Sequence, residues 1–287
     1  MTETGERGWR RWIAPFVQRL RSAYPVDPAT GTRQRRPKVR RYGSYAALQF
    51  VRGQTQSRMR TDAPEHLLID YTRTMLGALL LQPRPRRIGI VGLGGGSQAK
   101  FCHRHLPDAR IEAVENNAGV IALRGEFRIP DDGDRLQVFH DDGARFLHAR
   151  PGHYDLLLVD GYDETGIPEV LSTQRFYDDC RAALAPGGAM AGNLFCADHA
   201  RHVARLRRSF GDARVLVLEE PKMSNRVVFA WTGDALPDGA ESIADNAQSL
   251  SEAVRRELAD VLARVGAAME WHGKRVAVDA SATQEQG

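Results

Sequence analysis

Cysteine is scarce in this chain: three residues among 287, at positions 102, 180 and 196. They follow neither a disulfide framework nor a metal-ligand spacing. A disulfide-stapled secreted scaffold is excluded, and the thiols read as reduced core or near-core residues of a cytoplasmic protein. No apolar run approaches the ~20 residues that a bilayer span requires. The N-terminus has arginines but lacks the apolar region and small-residue cleavage site of a secretory signal. The histidines lack the paired helical spacing of a catalytic zinc site, so no metal is expected. His199 and His202 fall among arginines and read as a solvated helix face. Internal repeats are also missing.

Excess positive charge is absent from most of the chain. The formal net charge is +4, yet residues 1–41 alone carry eleven Lys/Arg against Glu3, Glu6 and Asp27. The remaining residues are therefore mildly acidic. The basic segment reads as a flexible, solvated extension. Contact with nucleic acid or an anionic surface is its second possible use. Trp9, Trp12, Ile13, Phe16, Val17 and Leu20 form one short apolar face, interrupted by Pro15, that suits docking on the protein's own body.

What is present is ordinary globular material, 42% hydrophobic and 26% charged. After the extension, residues 42–62 mix β-formers around "RGQ" and read as a small β-hairpin unit. Residues 63–81 repeat apolar positions at the helical period. From residue 88 onward, strands alternate with helices. Strands are expected at 88–92, 110–116, 135–142, 154–163 and 189–195, and a closing antiparallel pair at the sheet edge. Helices are expected at about 97–106, 118–127, 144–150, 173–188 (ending at Pro186-Gly187-Gly188) and 197–211, with an amphipathic helix over 243–269. This alternation predicts an α/β fold, a Rossmann-like doubly wound, mostly parallel sheet of the class I methyltransferase type with a small N-terminal β unit. The Rossmann-like domain spans 63–242, and 243–287 forms a C-terminal helix with a polar tail.

The first Rossmann-like strand breaks into "IGIVGLGGGSQAK", residues 88–100. Open α/β sheets bind ligands beyond the carboxyl ends of their strands, near the first β–α turn. Gly92, Gly94 and Gly96 fall there, and Ser97 occupies the position where a dinucleotide fingerprint has glycine. The spacing suits a nucleoside with a sulfonium side chain. Glu115, at the end of the next strand, is placed to accept ribose hydroxyls. Asp142 ends the third strand, either to accept the adenine amino group or to cap the following helix, and Gly143 leaves room for a ring. The apolar strand "LLLVDGYDETG" ends at Asp160, with Tyr162 and Asp163 just after it. Two neighbouring carboxylates can hold one ammonium and take a proton from another. Tyr162 either lines that channel or packs.

The order of these motifs resembles the spermidine synthase family, the polyamine aminopropyltransferases, from about residue 42 to 231. The strongest likeness is "YDLLLVDGYDETGIPEVLSTQRFYDDCRAALAPGG", with "VGLGGGS", "AVEN" and "HDDGARFL" in the same order. The resemblance implies Asp160 as catalytic base, Asp163 as amine ligand, Glu115 on the ribose, Asp142 on the adenine and Gln54 or Gln56 on the donor side. It implies decarboxylated S-adenosylmethionine as co-substrate, a small cationic amine as acceptor, and a homodimer. Two departures stand out. Where the family has Gly-Gly-Gly-Asp-Gly, this chain has Gly94-Gly95-Gly96-Ser97-Gln98, so the carboxylate that holds the donor's amino group becomes a hydroxyl. The family's Tyr-His-Glu stretch is also absent, "EHLLIDYTRT" keeping Tyr71 and Asp70. Two other readings remain open. One is a methyltransferase using intact S-adenosylmethionine, whose carboxylate Gln98 would bind. The other is a non-catalytic nucleoside-binding protein.

Overall fold

The computed structural model describes residues 27, 30–31, 34–51, 55–162, 166–233 and 239–284, without the side chains of 239–242 and 274–284. Three short strands, β1 (Lys38–Tyr42), β2 (Tyr45–Gln49) and β3 (Ser57–Arg60), form an antiparallel sheet of their own. The β unit thus has three strands and begins at Lys38, inside the stretch read from composition as a loose tail. Val39 explains this, because it packs on the core between exposed basic neighbours.

The helix expected over 63–81 is shorter. Helix α1 covers Asp70–Met75 and tightens into a 3₁₀ turn over Leu76–Leu80, while residues 61–69 run as turns and bends. Then β4 (Arg87–Val91), α2 (Ser97–His105), β5 (Arg110–Glu115), α3 (Ala118–Ile121), β6 (Leu136–His140), α4 (Gly143–His148) and β7 (Tyr154–Val159) follow in strict alternation. Helix α5 (Gln174–Ala183) precedes β8 (Leu184–Leu194). Pro186-Gly187-Gly188 lies within β8 rather than ending the helix, and it coincides with a register shift against β7. Helix α6 (His199–Phe210), β9 (Val215–Glu219) and β10 (Arg226–Trp231) complete the sheet. The single terminal helix expected is three: α7 (Gly239–Ser249), α8 (Glu252–Glu257) and α9 (Ala259–Gln284).

The main sheet runs β6-β5-β4-β7-β8-β10-β9, with β10 antiparallel to both neighbours and the other pairings parallel. Its central strands are buried on both faces, as parallel sheets are. Leu156 and Leu158 pack into one core cluster and Leu157 into the other. The order reverses between β4 and β7, which opens a crevice at their carboxyl ends. Among the described residues, no helix is long and apolar enough to cross a membrane.

Candidate active site

A cleft of about 810 Å³ opens at this switch point, walled by the small sheet and the β9–β10 turn. Its first wall follows from glycine. Gly92 leaves β4 at φ +92°, and a Cβ there would lie 2.3 Å from the Asp160 carbonyl oxygen. Only glycine allows β4 and β7 to end side by side, tied by the Asp160 N–H donating to the Val91 carbonyl at 2.8 Å. Gly94 and Ser97 line the cleft, whereas Gly96 does not. Gly96 takes a left-handed turn before α2, and a side chain there would collide with Ile129. Gln98 also borders the cleft, but its amide nitrogen donates to the Met75 sulfur at 3.1 Å.

Glu115 ends β5 with its carboxylate buried. Leu93 N–H donates to Oε2 at 3.0 Å and Asn117 N–H to Oε1 at 2.9 Å. Burial raises its pKa, and these amides pull the other way. The Gly94 N–H also approaches Oε2, at 3.5 Å, so with about four lone-pair sites on a carboxylate a ribose hydroxyl would bind by displacing or sharing that long contact. Asp142 plays the capping role: Oδ1 accepts from the amides of Ala144 and Arg145 at 3.0 Å each, opening α4. It lines the cleft while doing so, as does Gly143, where a Cβ would meet Val91 at 2.7 Å. The N-terminal segment passes this half. Gln34 borders the cleft and donates to the Asn116 carbonyl, Asn117 donates to the Arg35 carbonyl at 3.0 Å, and His140 lies 2.9 Å from Asp27.

The other half centres on Asp160. It is half-buried and lines the cleft. Tyr71 donates to Oδ2 at 3.0 Å, and the Asn193 amide to Oδ1 at 2.9 Å. The Asn225 amide in turn donates to Asn193 Oδ1 at 2.9 Å. A chain of hydrogen bonds thus links α1, the end of β7, β8 and the β9–β10 turn. Burial raises the pKa of Asp160, and both donors oppose that rise. Tyr71 is pushed well above the ordinary phenol value by burial and the adjacent carboxylate. Tyr162 borders the cleft and also bridges backbone, donating to the Asn193 carbonyl at 2.9 Å and accepting from the Phe195 amide. Arg264 on α9 holds the turn from behind through Glu220 at 3.2 Å.

The structure brings together Gly92, Gly94, Ser97, Glu115, Asp142, Gly143, Asp160 and Tyr162, with Gln56 on the small-sheet side. Asp163 and Gln54 lie outside the described residues, as do residues 1–26 of the basic extension. Asn193 and Asn225 were not singled out from sequence; the available signal was an amide inside the otherwise apolar "AMAGNLF". His202 departs from the solvated reading. It is 2% exposed, because α6 turns His202, Val203, Leu206 and Phe210 toward the core.

Residues 70–198 match the spermine/spermidine synthase domain. The chain is 34% identical to the polyamine aminopropyltransferase of Chromobacterium violaceum over 220 residues, 76% of this chain and 81% of that one. It is 32% identical to the polyamine aminopropyltransferase of Neisseria meningitidis serogroup A over 261 residues, 90% and 96% of the two chains. Its fold is similar to that of a probable spermidine synthase from Corynebacterium glutamicum, with a TM-score of 0.61 and 18% identity, over 81% of this chain and 94% of that one.

Proposed function

The chain belongs to the polyamine aminopropyltransferase family, and from that premise we propose that its cleft moves an aminopropyl group from decarboxylated S-adenosylmethionine to a small polyamine. The observation that carries this reading is Asp160. It is a buried carboxylate of raised pKa, held by Tyr71 and Asn193, in the same cleft as the carboxylates of Glu115 and Asp142.

Glu115 takes the ribose hydroxyls and Asp142 the adenine amino group, fixing the donor at the β4–β5–β6 end. The acceptor amine is a cation until it loses a proton, since free amines have a pKa near ~10. Asp160 attracts the ammonium, receives its proton and leaves a lone pair on nitrogen. That nitrogen attacks the carbon next to the sulfonium. The carbon–sulfur bond breaks, its electron pair stays on sulfur, and neutral methylthioadenosine departs. The product leaves as a secondary ammonium, and Asp160 returns the proton it took to solvent. This displacement forms no covalent enzyme intermediate, so positioning carries most of the rate. Asp163 supplies a second carboxylate to the amine, and Gln56 and Tyr162 line its path. Ser97 offers the donor's amino group a hydroxyl in place of a charge.

The test incubates the purified full chain with decarboxylated or intact S-adenosylmethionine and a series of α,ω-diamines. Methylthioadenosine formed only from the decarboxylated donor and only with an amine is the expected result. Transfer of a methyl group from the intact donor, or no product with any amine, overturns the proposal.

A further inference from the structure

Three side chains of different chemistry converge where β8 hands over to α6. One ligand atom each from Cys196, Asp198 and His202 lies within 4.8 Å of the other two. His202 Nε2 is 3.6 Å from Asp198 Oδ1. Asp198 stands at the start of α6 and His202 one turn on, and residues four apart share a helix face. Cys196 approaches the same point from the preceding loop. We propose that Cys196, Asp198 and His202 form a binding site for a thiophilic divalent cation of the zinc class, outside the catalytic cleft.

The donor set selects the ion. Thiolate, imidazole and carboxylate together suit zinc and its neighbours, whereas magnesium and calcium take oxygen ligands. Tetrahedral zinc, with bonds near ~2.0–2.3 Å, spaces its ligand atoms about 3.3–3.6 Å apart. The Asp198–His202 pair already stands at that separation, and from within 4.8 Å Cys196 closes by about 1.2–1.5 Å at most. Asp198 is exposed and Cys196 half-buried, so an ion reaches them from solvent, with water as its fourth ligand.

His202 is prepared from behind. Its Nδ1 lies 2.6 Å from the Tyr177 hydroxyl, and both rings are buried. When an ion binds, the tautomer with Nδ1–H donating to the Tyr177 oxygen leaves the Nε2 lone pair for the metal on the Asp198 side. A metal-binding histidine commonly has its other ring nitrogen fixed in this way. On binding, the thiol loses its proton to solvent as the sulfur–metal bond forms. Thiolate and carboxylate then balance the two positive charges. The other two thiols, Cys102 and Cys180, are fully buried and do not compete.

The experiment titrates tag-free, chelator-treated full chain with Co²⁺ and then with Zn²⁺. One Co²⁺ per chain is expected, with strong near-ultraviolet thiolate-to-cobalt absorption that equimolar Zn²⁺ bleaches. Cys196→Ser removes that band, and Asp198→Asn, at an exposed position where folding is unaffected, weakens binding at least about tenfold. Circular dichroism of each variant separates ligand loss from unfolding. Wild-type protein without the thiolate band, or a folded Cys196→Ser protein that keeps it, overturns the proposal. The readout is binding alone, so it is independent of aminopropyl transfer.

Discussion

Asp160→Asn exchanges a carboxylate for an amide of the same shape in the middle of the Tyr71–Asp160–Asn193–Asn225 chain. The introduced oxygen still accepts from Asn193, and the introduced amino group donates to a rotated Tyr71 hydroxyl. Two charge-assisted bonds of about 1.5–3 kcal/mol each become ordinary ones of about 0.5–1.5, a combined loss of roughly 2–3 kcal/mol. Against this stands the burial of a carboxylate, which costs several kcal/mol. The raised pKa decides the sign: burial outweighs both hydrogen bonds. A carboxyl whose folded pKa is raised contributes stability that is full below its unfolded pKa and lost as pH rises through the folded one. The variant is therefore expected to melt higher at pH 7.5, with the gap closing toward pH 4. Loss of the base costs about 10²–10⁴ in turnover. Thermal melts across that pH range, paired with methylthioadenosine formation, test both halves. A lower melting point at pH 7.5, or turnover kept within tenfold, refutes the reasoning.

Asn193→Ala removes a donor that holds Asp160 down and leaves the buried Asn225 amide without its acceptor, so stability falls by about 1–3 kcal/mol. The acid limb of its pH–rate profile moves upward, which initial rates between pH 5 and 9 will show. Glu115→Gln turns an amino group toward the Leu93 or Asn117 N–H, costing a further ~1–3 kcal/mol. Methylthioadenosine titration and melting together are expected to show weaker nucleoside binding as well. Buried Lys100, held by the Phe127 carbonyl at 2.8 Å, is lowered to about 7 by burial. The unfolded chain then binds the extra proton, so stability rises from pH 7 to 9 by up to about 1.4 kcal/mol per unit. Lys100→Met is expected to flatten that slope in urea melts.

The strand-end residues could be read early, most directly where an apolar run leaves packing little use for an acid. Asp160 follows that rule, Glu115 and Asp142 were legible from their places at the ends of successive strands, and all three reach the cleft. Contacts made at long range could not be read this way. Asn193 matters through Asp160 and Asn225, each about 32 residues away or more, and nothing local marks it. Arginines beside His202 suggested a wet face, but the helical period turned it inward against Tyr177. Composition also misplaced β1, since Lys38, Arg40 and Arg41 point outward from a strand whose Val39 faces the core. Pro186-Gly187-Gly188 has the local chemistry of a stop, yet pairing with β7 and β10 carries the strand on past it.

The segment before β1 carries a practical consequence. Asp27 pairs with His140, and Gln34 and Arg35 bond to Asn116 and Asn117, directly after the residue assigned to the ribose. The chain at Asp27 and at Gln34–Arg35 thus runs beside the nucleoside pocket, so truncation into this segment removes contacts next to the ribose site. Nucleoside affinities of truncated preparations therefore compare like with like only when Asp27 to Arg35 are kept.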